Sequence, residues 1–179
     1  IKYMFPKAHA AAYVMMAIRI AWFKVHKPLF FYASLFSVRH KGKSFEIETI
    51  MGGYEVVKAR IAEIERMEDP TNKELETKGI LDIVLEMQAR GFGFKQVDLY
   101  KSTSNKFLIE DECLVFPFQA VDGLGENVAN LIALEREKSN FLSKEDLQKR
   151  TGVSKTVLAK LEVLRVLEDL DDQNQMSLF

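Results

Sequence analysis

The stretch that decides the fold is Phe118-Gln-Ala-Val-Asp-Gly-Leu-Gly-Glu-Asn-Val-Ala129, with Leu131, Ile132 and Leu134 after it. A hydrophobic residue, a turn at Gly123, Leu124 and Gly125, and a small residue four positions later predict two helices joined by a tight hairpin. Glycine allows such a turn, and Gly125 is expected to have a positive φ. Backbone N–H groups then reach the start of the next helix, where the helix dipole favours a phosphate. Such a site contacts the DNA backbone without reading base sequence.

A second copy of the pattern lies about 29 residues downstream, in Leu147-Gln-Lys-Arg-Thr-Gly-Val-Ser-Lys-Thr-Val-Leu158. A lone Gly-Leu-Gly is more often a simple helix-capping turn, but two hairpins that both lead into a helix favour a tandem helix-hairpin-helix module. In this copy the residues predicted to contact the DNA backbone are Lys149, Arg150, Gly152, Ser154 and Lys155. Asp122 and Glu126 flank the first hairpin and would repel a phosphate, so we expect the second hairpin to bind more strongly.

The composition is that of a globular protein with an uneven charge distribution. The 179 residues are 47% apolar and 28% charged, which argues against a disordered chain, and the single Cys113 excludes a disulfide framework. A reducing, cytoplasmic location follows most simply. Residues 1–45 carry eight Lys and Arg residues and no Asp or Glu, whereas residues 46–179 carry 17 basic and 26 acidic residues. The net charge of −1 therefore hides a cationic first part and an acidic remainder.

The cationic part is predicted to contain two helices. Pro6 and Pro28 suit the first turn of a helix and predict helices over about 6–26 and 28–38. The ordinary interpretation is an amphipathic core helix with a solvated rim. Ten aromatic residues and eight cations without an acid weaken this interpretation, because they also suit a surface that contacts phosphates and stacks on bases. The apolar run at 8–18 is shorter than the roughly 20 residues that a membrane span needs, so no membrane is expected.

The middle of the chain, residues 51–116, is predicted to be a helical pair followed by a small β element. Gly52–Gly53 interrupts the pattern, and apolar residues then recur at helical spacing over 56–67 and 71–90, with Gly91 as a C-terminal cap. Three short β-prone runs follow at 97–100, 106–109 and 114–116, and Asp111–Glu112 is expected to turn a hairpin between the last two. The predicted fold class is therefore mainly α with a small β element (α+β).

The last twelve residues are predicted to be a flexible tail. From Glu168 the chain carries four acids in five residues and then no apolar period. The apolar residues in Gln175-Met-Ser-Leu-Phe179 gain nothing unless a partner's pocket receives them. Peptides of the form Gln-Leu-(Ser/Asp)-Leu-Phe resemble the bacterial sliding-clamp-binding motif. The residues predicted to bind a clamp are Gln175, Met176, Ser177, Leu178 and Phe179. Because the chain opens on Ile1, we expect a fragment of a longer protein whose C-terminus is genuine.

The segment Phe5-Pro-Lys-Ala-His-Ala-Ala-Ala-Tyr13 resembles the fingers of the bacterial replicative, C-family DNA polymerases. Ala8, where the other branch commonly has Ser, resembles the PolC branch of low-GC Gram-positive bacteria. The motifs Arg90-Gly-Phe-Gly-Phe-Lys95, Phe141-Leu-Ser-Lys-Glu-Asp-Leu-Gln148 and Asp172-Gln-Asn-Gln-Met-Ser-Leu-Phe179 extend this resemblance over Tyr3 to Phe179. Met176 stands where the family has Leu, and Asp122 where it tends to have Pro.

The resemblance implies a role in DNA synthesis. It divides the chain into the end of the fingers (1–50), the helical pair with its β hairpin (51–116), the tandem helix-hairpin-helix module (117–167) and a clamp-binding tail (168–179). Lys7, His9 and Tyr13 would lie near the incoming dNTP or the templating base. The implied partners are double-stranded primer-template DNA, the dNTP and the sliding clamp (the beta subunit).

Catalysis itself is expected outside this chain. The family transfers nucleotides with two metal ions held by palm carboxylates, so Mg²⁺ is expected in a palm domain upstream of Ile1. Asp82, Asp98, Asp111 and Asp122 stand in scattered contexts, and no catalytic residue, metal or cofactor is predicted here. The main alternative is a free-standing, non-enzymatic helix-hairpin-helix adaptor with a clamp-binding tail. The other C-family branch fits less well, because further domains would follow its helix-hairpin-helix region.

Overall fold

The computed structural model describes residues 6–39 and 45–173, which form a mostly helical structure with one small sheet. The helices are α1 (Lys7–His26), α2 (Pro28–Arg39), α3 (Ile47–Met51), α4 (Tyr54–Glu65), α5 (Asn72–Ala89), α6 (Glu126–Lys138), α7 (Lys144–Thr151) and α8 (Lys155–Val163). The strands are β1 (Gly93–Lys95), β2 (Leu108–Glu110) and β3 (Cys113–Val115), and a short 3-10 helix covers Phe118–Ala120. The predicted α+β class is confirmed.

The first two helices begin where the prolines predicted. Pro6 directly precedes α1, and Pro28 is the first residue of α2. No residue of α1 is buried, and residues 13–16 are four consecutive exposed apolar side chains that point around the whole helix. A helix that is apolar on all sides is typical of the interior of a larger protein. Within the described ranges, no helix combines the length and apolarity that a membrane span requires.

The C-terminal end of α1 is attached to α5. The Nζ of Lys24 lies 2.8 Å from a carboxylate oxygen of Glu86, and Arg90 donates a hydrogen bond to the Lys24 carbonyl oxygen at 3.2 Å. The cationic part is therefore balanced in part by an acid 62 residues downstream. Lys24 is one of the eight cations of residues 1–45, which suit a phosphate-contacting surface, but its side chain has a structural partner within the protein.

An aromatic cluster joins α2 to the sheet. The Phe36 ring of α2 is fully buried, and its centroid lies 5.9 Å from that of Phe45 and 5.7 Å from that of Phe107. Phe94 and Phe116, on and beside the sheet, stack at 5.0 Å. These rings fill the space between helix and sheet, where large aromatic side chains supply much of the buried apolar area.

The scaffold pair forms as predicted. α5 begins with a capping box, in which Thr71 accepts from the Glu74 N–H and the Glu74 carboxylate accepts from the Thr71 N–H. Residues of α4 and α5 at helical spacing enter the same buried core, among them Val57, Ile61 and Val84. The two helices thus bury most of their regularly spaced apolar residues, while Val56 and Leu75 stay exposed.

The sheet has the strand order β1-β3-β2, with β1 parallel and β2 antiparallel to β3. Asp111 and Glu112 have φ values of 48° and 60°, so the predicted hairpin turn is confirmed. Residues 97–100 do not form the predicted strand. The strand in this region is β1, which ends before them at Lys95. Asp98 instead accepts hydrogen bonds from the N–H groups of Tyr100 and Lys101 at 2.8 and 2.9 Å, which forms a turn.

The acidic stretch after α8 is attached to the domain. The Lys144 N–H donates to the Asp171 carbonyl oxygen at 2.8 Å, and the Lys144 Nζ lies 2.8 Å from a carboxylate oxygen of Asp172. Leu170 packs against the core. The prediction of a flexible tail from Glu168 onward is therefore wrong for residues 170–172, because Leu170 packs against the core and the N-terminus of α7 binds Asp171 and Asp172.

Candidate nucleic-acid interface

The second hairpin joins α7 to α8 through Gly152, Val153 and Ser154. Gly152 has a φ of 70° and donates its N–H to the Gln148 carbonyl oxygen at 2.9 Å, which ends α7. Val153 is buried, and the Ser154 hydroxyl accepts from the N–H of Val157 at 3.3 Å, which caps α8. A left-handed glycine, a buried apolar anchor and a capping hydroxyl thus fix the turn.

The exposed cations of the second hairpin flank this turn. Lys149 lies in the last turn of α7, Lys155 is the first residue of α8, and both side chains are exposed. The first turn of α8 contains no acidic residue. The positive end of the helix dipole and two lysines therefore lie together at a surface that a phosphate can reach.

Arg150 differs from these two lysines. Its guanidinium donates to the Glu135 and Asp146 carboxylates and to the carbonyl oxygens of Glu135, Ser139 and Asn140. It also lies over the Phe141 ring, 4.5 Å from the centroid. The structure therefore argues against the prediction that Arg150 contacts the DNA backbone, because its N–H donors bind acceptors within the protein and join α6 to α7.

The first hairpin is asymmetric. A 3-10 helix at Phe118–Ala120 precedes it, where the sequence predicted an α-helix, and α6 follows it. The left-handed glycine is Gly123, with a φ of 84°, whereas Gly125 has a φ of −71°. The expectation of a positive φ at Gly125 is wrong, because the chain already turns two residues earlier. Leu124 is buried between them and anchors the loop.

The two hairpins contact each other. A Cβ built on Gly123 would lie 3.6 Å from a Val157 methyl carbon, so α8 packs against the first loop. Lys160 of α8 donates to the Asp122 carboxylate at 2.5 Å. The acid that was expected to repel a phosphate is therefore paired. The sequence carries no signal for Lys160, because its partner lies 38 residues away and no local spacing indicates the contact.

The remaining predicted residues lie elsewhere. Lys7, His9 and Tyr13 are exposed on α1, and the His9 and Tyr13 rings meet edge to face with centroids 4.5 Å apart. The predicted clamp-binding residues 175–179 lie outside the described residues. Among residues 6–39 and 45–173, no three His, Cys, Asp or Glu side chains are grouped so that they could hold a metal ion.

Comparison with known protein families shows which family the C-terminal half of the chain resembles. Residues 91–176 match the family described as "Helix-hairpin-helix motif". That range contains both hairpins described above, together with the sheet before them. Residues 91–176 are therefore similar to the helix-hairpin-helix family, and both glycine turns lie within the matched range.

The comparison then gives the relatives of the whole chain. Proteins named DNA polymerase III PolC-type are 49% identical in Streptococcus sanguinis (strain SK36), 52% in Oceanobacillus iheyensis and 52% in Listeria monocytogenes serovar 1/2a. Each alignment covers 100% of this chain but only 12% of the relative. The resemblance to the PolC branch is confirmed: the chain corresponds to a segment of such proteins, about one eighth of their length.

Proposed function

We propose that this chain is the duplex-binding segment of a cytoplasmic DNA-directed DNA polymerase, and that its hairpins hold primer-template DNA by the phosphate backbone. The observation that carries the proposal is the second hairpin, where Lys149 and Lys155 are exposed on either side of a capped turn. Backbone N–H groups at a helix start and flanking lysines suit phosphates and carry no base information. A polymerase needs such contacts because it must hold any sequence it has copied.

Binding of this kind depends on salt, and Lys155 tests it. We expect Lys155→Ala to weaken binding about equally on unrelated duplexes and to flatten the slope of log affinity against log salt by roughly one unit, since each neutralised phosphate releases counterions. Fluorescence anisotropy with two duplexes of different sequence, each over a salt series, measures both quantities.

Lys78→Ala is the matched control, because Lys78 of α5 pairs with Glu65 and Asp82 and lies in the scaffold. We expect this variant to keep the wild-type slope. A loss at Lys155 that differed between the two duplexes would contradict backbone binding and indicate base recognition.

We also propose that the exposed N-terminal part of α1 contacts the incoming dNTP or the templating base. Lys7 supplies a cation, and the neighbouring His9 and Tyr13 rings supply an aromatic surface at 4.5 Å between centroids. A lysine suits a triphosphate, and an aromatic ring suits a base face. The resemblance of residues 5–13 to polymerase fingers supports the same assignment.

Lys7 provides the test in the full-length polymerase. We expect Lys7→Ala to lower kcat/KM for nucleotide incorporation about tenfold, the effect of losing roughly 1.4 kcal/mol of binding, and to leave clamp binding unchanged. Steady-state incorporation kinetics measure it, with Lys58→Ala as a control, since the Lys58 ammonium lies over the Tyr54 ring of the scaffold helix α4. If Lys7→Ala left KM and kcat unaltered, the proposal that α1 contacts the nucleotide would be contradicted.

The catalytic and tethering parts complete the proposal. Mg²⁺ and the carboxylates that bind it belong to the rest of the polymerase, and residues 175–179 tether the enzyme to a sliding clamp. Two observations support a longer parent: the relatives are about eight times longer than this chain, and α1 is apolar on all sides yet unburied. A free-standing adaptor is the alternative. The size of the native protein on an immunoblot separates the two, because an adaptor would migrate near 20.5 kDa.

A further inference from the structure

The contact between Lys160 and Asp122 joins the two hairpins. The Lys160 Nζ donates both to the Asp122 carboxylate at 2.5 Å and to the Asp122 carbonyl oxygen at 3.0 Å. Lys160 belongs to the helix that starts at the second hairpin, whereas Asp122 begins the turn of the first. One ammonium thus binds the side chain and the main chain of the same loop residue.

This ammonium lies where the first hairpin would meet a phosphate. A Cβ built on the left-handed Gly123 would be 3.9 Å from the Lys160 Nζ, so the charge is at the tip of the turn. The loop also carries Asp122 and Glu126, and both are exposed. Without Lys160 the turn would present two carboxylates to an incoming anion.

We propose that Lys160 is a positioning residue for DNA binding, which neutralises Asp122 and so allows the first hairpin to accept a backbone phosphate. We assign its effect to Asp122, since both of its hydrogen bonds within the protein go to that residue. This inference rests on the proposed DNA-binding function and assigns the first hairpin a part in it.

The solvent exposure of the Lys160–Asp122 ion pair indicates a role in DNA binding and not in folding stability. The Lys160 and Asp122 side chains are 40% and 60% exposed. Ion pairs at such exposure contribute little to folding stability. A carboxylate whose charge Lys160 no longer offsets, by contrast, repels a nearby phosphate over a few ångströms. The loss of Lys160 should therefore weaken DNA binding and leave thermal unfolding nearly unchanged.

The test is a double-mutant cycle on the 179-residue chain, read by fluorescence anisotropy with a labelled duplex at low salt. We expect Lys160→Met to weaken binding about tenfold and Asp122→Asn to strengthen it severalfold. The double variant should return to within about threefold of the wild type, because neither charge remains. Methionine keeps the apolar stem of the lysine and limits changes in packing.

The outcomes distinguish the possibilities. A double variant as weak as Lys160→Met would overturn the inference, whether Lys160 contacts phosphate directly or its loss unfolds the loop. Lys144→Met is the matched control, because Lys144 also bridges two acids, Glu162 and Asp172, and should bind DNA like the wild type. If the wild type binds no duplex, the proposed function fails as well. If the wild type binds and Lys160→Met binds equally, only the role of Lys160 fails.

Discussion

Arg150→Ala is expected to lower the free energy of unfolding by about 3 kcal/mol without weakening the DNA binding of the folded protein. Its guanidinium makes hydrogen bonds to two carboxylates and three carbonyl oxygens. One charged hydrogen bond contributes about 1.5–3 kcal/mol, and removal of one partner from a buried ion pair costs about 3–5 kcal/mol. The Arg150 side chain is 18% exposed, so the expected loss lies between these limits.

The position of Arg150 explains why its loss should affect stability. Its carbonyl acceptors lie in the last turn of α6 and in the connection to α7, where most backbone oxygens have no partner within the helix. The Glu135 oxygen also accepts from the Ser139 N–H, which caps α6. The Glu135 and Asp146 carboxylates approach the guanidinium from α6 and α7. The Phe141 ring lies on its face. Alanine would remove this donor from all three carbonyl oxygens and both acids, leaving the Glu135 carboxylate with Lys138 and the Asp146 carboxylate with the Leu142 N–H.

Thermal and urea unfolding measure the expected change. A loss of about 3 kcal/mol corresponds to a fall in Tm of roughly 6–12 °C for a chain of this size. Arg150→Lys should recover only part of the loss, because an ammonium cannot reproduce the planar fork. Lys149→Ala is the control, since Lys149 is the adjacent exposed cation and should change DNA binding but not stability. If Arg150→Ala kept the free energy of unfolding and lost affinity for DNA, the expectation would be contradicted and Arg150 would be a DNA contact.

Local chemistry made much of the fold predictable. Pro6 and Pro28 marked the starts of α1 and α2, and Gly123 and Gly152 marked the two turns because both adopt a left-handed backbone. Each of these signals acts within a few residues of its own position. A sequence pattern therefore carries it without knowledge of the tertiary structure.

The sequence predictions were wrong where contacts between residues distant in the chain determine the structure. Residues 97–100 have strand propensity, but the Asp98 side chain accepts the Tyr100 N–H and makes this segment a turn. Arg150 and Lys149 are adjacent cations that the sequence could not separate, and only the packing of α6 against α7 assigns them different roles. The acids after Leu167 are predicted to be mobile, yet Lys144 binds two of them, Asp171 and Asp172. Long-range ion pairs leave no local pattern.

The C-terminal peptide carries the largest expected effect on partner binding. Buried apolar anchors supply most of the energy in small peptide contacts, and the residues Met176, Leu178 and Phe179 are the apolar ones in this segment. Burial of a large apolar side chain contributes roughly 1.5–3 kcal/mol. By contrast, Gln175 would contribute a neutral hydrogen bond of about 1 kcal/mol.

Removal of Leu178 and Phe179 is therefore expected to weaken binding to a sliding clamp more than a hundredfold, because two anchors together exceed the roughly 2.7 kcal/mol that this factor represents. Titration of purified clamp with the 179-residue chain and with a chain ending at Ser177 measures the effect. Gln175→Ala should lose about fivefold, and Asp169→Asn should lose nothing measurable at physiological salt, where charges are screened beyond about 8 Å. Equal affinities for the full and shortened chains would remove the clamp from the proposed partners and leave the hairpins as the proposed DNA site.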